Sequence, residues 1–119
     1  MTRRIDRISA LMLQEISLLV TTELKDPRLA TVVSVTRVEV TSDLHTARVF
    51  ISVLGDDEEK KKSIRALRSA SGFIHHQLQQ SLNLRAVPHL IFKLDETIER
   101  SAELFALMRE VNSGNQTTQ

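Results

Sequence analysis

Residues 64–82 form an apolar-periodic segment with a break in its middle, and that break limits what the chain can become. Ile64, Leu67 and Ser71 share one helical stripe, and Ile74, Leu78 and Leu82 continue it beyond Ala70-Ser71-Gly72. The spacing predicts two helical pieces that falter at Gly72, because a glycine inside a helix costs about 1 kcal/mol relative to alanine. Three small residues in a row also leave backbone uncovered, so another molecule can approach it. A helix restarting after Gly72 would turn unpaired N–H groups and the positive end of its dipole toward an anion such as phosphate. Counting ~100° per residue sets Lys61, Arg65 and Arg68 on one exposed ridge leading to the kink, with His75, His76 and Gln79 beyond it. The same pattern also suits a packing glycine beside a solvated charged face.

The flanking segments predict an α+β domain. Thr2 can cap a first helix with Ile5, Ile8, Met12, Ile16 and Leu19 on its core face and Arg3, Arg4 and Arg7 on the opposite one, ended by Asp26-Pro27. Residues 31–40 read as a strand whose apolar phase slips between Val35 and Val38, which predicts a bulge near Thr36 or Arg37. A turn over residues 41–45 leads to a second strand at 46–54, so the two form an antiparallel hairpin. Gly55 closes that strand, and Asp56 or Asp57 caps the interrupted helix. Pro88 opens a third strand over residues 90–94, and Arg85 stands in the extended segment before it. Lys93, on that strand, is expected to lie outside both basic groups. A last helix is expected to cover the sheet with Ile98, Ala102 and Phe105, joined by Leu104, Leu107, Met108 and Val111. This organisation predicts one domain over residues 1–111 and an unstructured tail over 112–119.

Composition excludes several classes of function. At 119 residues with 41% hydrophobic and 26% charged side chains, there is room for one core. The net charge of +1 means that any binding to a polyanion must come from clustering of charge. Without cysteine there is no thiolate nucleophile and no cysteine-bound metal. The four histidines, His45, His75, His76 and His89, have no metal-ligand spacing, and neighbouring His75 and His76 diverge by ~100° on a helix. Single, scattered glycines exclude Walker and Rossmann phosphate loops, and no nucleophile, base and acid set is recognisable. An enzyme, a metal and a cofactor are therefore not expected. Base-stacking platforms are also not expected, since Phe50, Phe73, Phe92 and Phe105 all stand at core positions and Trp and Tyr are absent. Asp6, Glu15 and Glu23 interrupt what would otherwise look like a basic targeting helix, and no apolar run spans a membrane, so the cytoplasm is the expected location.

The order helix, strand, strand, interrupted helix, strand and helix resembles the type II KH fold, with an AxG kink where that fold has a GxxG loop. Along nearly the whole chain, Lys25-Asp26-Pro27-Arg28-Leu29, Val38-Glu39-Val40 with Asp43-Leu44, Ala47-Arg48-Val49, Ala70-Ser71-Gly72-Phe73-Ile74, and Leu84-Arg85 before Pro88 resemble the bacterial ribosome-binding factor A family in order and spacing. The resemblance implies a monomeric, non-enzymatic assembly factor that binds immature 30S subunits and assists maturation of the 5′ region of 16S ribosomal RNA. It also implies a role in growth in the cold and release with the help of a ribosome-associated GTPase. The expected RNA-binding set, drawn from the basic helix faces and the kink, is Arg3, Arg4, Arg7, Lys61, Arg65, Arg68, Ala70, Ser71, Gly72, His75, His76 and Arg85. His75 departs from the family, which commonly has arginine after the Phe-Ile pair, and this shifts weight onto Lys61, Arg65 and Arg68. The competing class is a protein-binding or oligomerisation domain without direct RNA contact, in which the charged ridge is merely solvated.

Overall fold

The computed structural model describes residues 2–29, 32–84 and 86–117, so Arg85 lies outside the described residues. The elements follow as α1 (Thr2–Thr22), β1 (Val32–Val40), β2 (Thr46–Leu54), α2 (Asp57–Ser69), α3 (Ser71–Ser81), β3 (His89–Leu94) and α4 (Thr97–Thr117). β2 is the centre of a three-stranded sheet, antiparallel to β1 and parallel to β3. Two parallel neighbours need a long crossover, and the α2–α3 pair supplies it. That topology puts the kink over one face of the sheet.

The register explains which residues meet there. Ala47, Val49, Ile51 and Val53 of β2 are buried, and their partners Val38 and Val40 on β1 and Leu90 and Phe92 on β3 are buried with them. α1 adds Ile8, Met12, Ile16, Leu19 and Val20, and the crossover adds Ile64, Leu67, Ile74, Leu78 and Leu82. The slip of apolar phase in β1 is a β-bulge, since the register shifts between Val35 and Arg37. The bulged Thr36 uses its hydroxyl to donate to Asp95 Oδ2 at 2.6 Å.

Three expectations need correction. α1 ends at Thr22, several residues before Asp26-Pro27, and Thr22 Oγ1 donates back to the Leu18 carbonyl at 2.6 Å. Asp26 closes a separate turn, in which it accepts the Arg28 N–H at 2.9 Å and the guanidinium at 2.7 Å, and those bonds hold its carboxyl below the usual carboxylate range. α4 does not cover the sheet: Leu104, Phe105, Leu107, Met108 and Val111 are all more than half exposed. α1, α2 and α3 already occupy the core face, so a helix leaving the end of β3 finds no surface left there. The radius of gyration is accordingly 18.0 Å, against about 13.5 Å for a compact chain of this length. Finally, α4 runs on through residues 112–117, where a tail was expected. A helix satisfies its own backbone hydrogen bonds and can continue without burial. Among the described residues no helix is long and apolar enough to cross a membrane.

Candidate nucleic-acid interface

α2 starts at Asp56, whose carboxylate accepts the Glu59 N–H at 2.8 Å. Acidic Asp57, Glu58 and Glu59 fill its first turn and Arg68 stands in its last, both in accord with the helix dipole. Burial of Ile64, Ala66 and Leu67 turns Lys61, Arg65 and Arg68 outward, as the periodicity predicted. The three line an open cleft of about 410 Å³ together with Ile64, Lys93 and Leu94.

Lys93 corrects a further expectation, because it does not stand apart from the basic groups. It pairs in register with Phe50, on the sheet face opposite the core, yet β3 is an edge strand beside α2, and the long side chain reaches the cleft from there. Four cations thus share one concavity. None of the four has an ion-pair partner among the described residues, whereas Arg28 is bonded to Asp26, and Arg37 and Arg48 both approach Glu39, at 3.2 and 3.8 Å. The four together give a concentrated positive field that a polyanion would neutralise.

The helix breaks at Ala70 rather than at Gly72. Ala70, at φ −87° and ψ 0°, ends α2 and starts α3; its N–H is shared between the Ala66 and Leu67 carbonyls at 3.0 and 3.1 Å. Regular bonding resumes with the Ile74 N–H on the Ala70 carbonyl at 2.9 Å. Leu67 before the break and Ile74 and Leu78 after it are all fully buried. No side chain caps α3. Gly72 lies in its first turn with negative φ, so its conformational freedom is unused. A Cβ there would meet nothing within 4 Å, whereas one at Gly55 would lie 2.6 Å from the Glu59 carboxylate. Gly72 is therefore not a packing glycine, and it keeps a patch of surface open beside the cationic cleft. Phe73, expected in the core, is 44% exposed next to it. Its position was legible in principle, since Phe73 stands ~100° from the buried Ile74 on the helix.

The remaining candidates divide. His75 is half-buried, and its Nε2 donates to the Val87 carbonyl at 3.0 Å, which ties α3 to the segment before β3. This histidine is occupied with holding the fold. His76 is exposed, 3.2 Å from Gln80 one turn on. Arg3, Arg4 and Arg7 are exposed, but they do not join the cleft of α2. Arg4 lines a second cleft with Asp43, His45 and Pro88, among others. A shallow recess at the kink contains Arg68, Ser71 and His89, and the His89 N–H donates to the His45 carbonyl at 2.8 Å. The α2 cleft thus includes the end of β3, at Lys93 and Leu94, whereas the cleft of Arg4 lies at its start, beside Pro88 and the turn between β1 and β2. Among the described residues no three His, Asp or Glu side chains are grouped to hold a metal.

These features define an α+β domain of KH-like type in which a helix–kink–helix crossover stands in place of the GxxG loop. A profile of the family described as Ribosome-binding factor A matches residues 4–108. A protein of that name from Acetivibrio thermocellus is 45% identical over 112 residues, covering 94% of this chain and 91% of its own. The chain belongs to the ribosome-binding factor A family. Its fold is similar to the crystal structure of ribosome-binding factor A from Thermus thermophilus, with a TM-score of 0.68 at 21% identity over 76% of this chain and 93% of that one. It is also similar, with a TM-score of 0.62 at 23% identity over 74% and 91%, to a homology model of the Thermus thermophilus factor fitted into a cryo-EM map of its 30S complex.

Proposed function

We propose that this protein is a non-enzymatic assembly factor that binds free or immature 30S ribosomal subunits and assists late maturation and 5′-end processing of the 16S ribosomal RNA precursor. It acts as a monomer in the cytoplasm and leaves the subunit with the help of a ribosome-associated GTPase. The observation that carries this reading is the cleft of Lys61, Arg65, Arg68 and Lys93, unpaired among the described residues and set beside the open Gly72. Family membership and the fitting of a similar fold into a 30S complex support the choice of polyanion. Long flexible cations along a cleft recognise phosphate backbone and carry no base code.

Replacing Lys61, Arg65 and Arg68 by glutamine should weaken binding to immature small subunits at nearly unchanged melting temperature. The slope of log affinity against log salt should flatten by about 0.7 to 0.9 for each phosphate no longer neutralised. Lys93→Gln should act in the same direction, and Arg109→Gln on α4 should not. Gly72→Ala should raise helix stability by about 1 kcal/mol or less and still reduce affinity. Unaltered affinity and salt slope in the triple variant would overturn RNA binding at this cleft. A second reading, protein binding or oligomerisation without RNA contact, draws on the exposed apolar residues of α4. It requires subunit binding to be nearly independent of salt.

A further inference from the structure

The cleft around Arg4 differs in kind from the one on α2. It measures about 230 Å³, and its walls are the apolar side chains of Ile8, Leu44, Leu84 and Pro88. Arg4, Asp43 and His45 supply its polar groups. Its volume falls below the ~300 Å³ of a drug-sized pocket and is on the scale of one heterocyclic base.

Leu44 is the only non-glycine residue with positive φ among the described residues, at 63°. Its N–H donates to the Thr41 carbonyl at 2.9 Å in the turn between β1 and β2. Glycine or asparagine would adopt that conformation with little strain. A leucine there costs backbone energy, and its side chain is half-buried against the core. The same side chain is a wall of the cleft.

Asp43 is held rigidly beside it. Its Oδ1 accepts the Thr41 hydroxyl at 2.6 Å and the His45 N–H at 3.0 Å, and these bonds lower its pKa and keep it ionised. Among the described residues the other oxygen, Oδ2, has only the His45 Nδ1 at 3.9 Å, which leaves it able to accept a further donor. We propose that this cleft binds one unpaired nucleotide of RNA: the base lies between the apolar walls, an N–H of its edge donates to Asp43, and its phosphate meets Arg4. Every base offers such a donor, the uracil N3–H included, so the site takes an unpaired base whatever its identity, and a base inside a duplex cannot enter. The assignment rests on the RNA-binding reading above and adds a base contact to it. The hydrogen bond from His89 to His45 places this cleft next to the recess at the kink, so one strand can pass from the cations of α2 to the base site.

The test uses the full chain with single-stranded oligocytidylate and an abasic oligonucleotide of equal length, followed by fluorescence anisotropy across a salt series. Oligocytidylate should bind about tenfold more tightly than the abasic strand, the low end expected of one base contact. Ala86 lines the cleft and is exposed, so Ala86→Phe fills the site without entering the core. That variant should lose about tenfold in affinity for oligocytidylate and keep the wild-type melting temperature and salt slope, because every phosphate-binding cation is retained. Equal affinity of the wild-type chain for the two oligonucleotides would overturn the base site while leaving salt-dependent RNA binding intact. So would an Ala86→Phe variant that weakens binding to subunits alone, which would mark the cleft as a protein contact. Absence of any salt-dependent binding by the wild-type chain would instead overturn the RNA-binding reading and this site with it.

Discussion

α1 and α4 are each 21 residues long, and only one of them belongs to the core. On α1, Ile8, Met12, Ile16 and Leu19 recur at steps of four, four and three, so they stack on one stripe and all are buried. On α4 Leu104, Leu107, Met108 and Val111 also recur at steps of three, one and three and share one side of the helix, with Phe105 ~100° from Leu104 at its edge. All five remain exposed. An apolar stripe makes a helix capable of burial, whereas burial itself needs a free surface opposite it. α1 meets the sheet first in the chain, and α4 starts after the core face has been filled.

The contrast can be broken by substitution. Ile16→Ala should cost about 2 to 5 kcal/mol, the range for a fully buried aliphatic side chain, measured by urea unfolding. A smaller effect is expected where α4 leaves the sheet. Asp95 accepts the Thr36 hydroxyl at 2.6 Å and the Thr97 N–H at 3.0 Å, while its own N–H donates to the Ile51 carbonyl at 2.7 Å. The bond from Thr36, then those from Thr97, hold its carboxyl at about 2, below the ordinary 3.8. A depressed carboxylate stabilises the fold fully above its unfolded pKa and loses that contribution as pH falls toward the folded value. The site is largely open to water, so Thr36→Val should cost no more than about 1 kcal/mol near neutral pH, and less as pH falls from about 4 to about 2. A cost that grows on acidification would contradict this sign. Leu104→Ala should be smallest, within about 0.5 kcal/mol. If it matched Ile16→Ala, α4 would be packed against something in solution, and the distinction between the two helices would fail.

Much of the scaffold was legible because it depends on residues only a few positions apart. The phase slip between Val35 and Val38 located the bulge, Asp56 was one of two expected caps for α2, and Ile64 with Leu67 set which side of α2 would carry Lys61, Arg65 and Arg68. Gly72 misled about the break because intrinsic propensity points to glycine, while the break falls at Ala70 and Gly72 sits in the first turn of α3. Phe73 and Phe105 were assigned to the core, Phe105 from the apolar face of the last helix, and both are exposed.

Sequence by itself determined the order of elements, the kinked crossover, the cationic ridge and the family, since helical and strand periodicities are local and the family motifs are ordered along the chain. Tertiary structure alone decided that Lys93 joins Lys61, Arg65 and Arg68, that Arg4 shares a cleft with Asp43 and Leu44, and that α4 is left uncovered. Those facts depend on which strand lies beside which helix. That choice is made by long-range burial of the sheet's one covered face, and no short window of residues contains it.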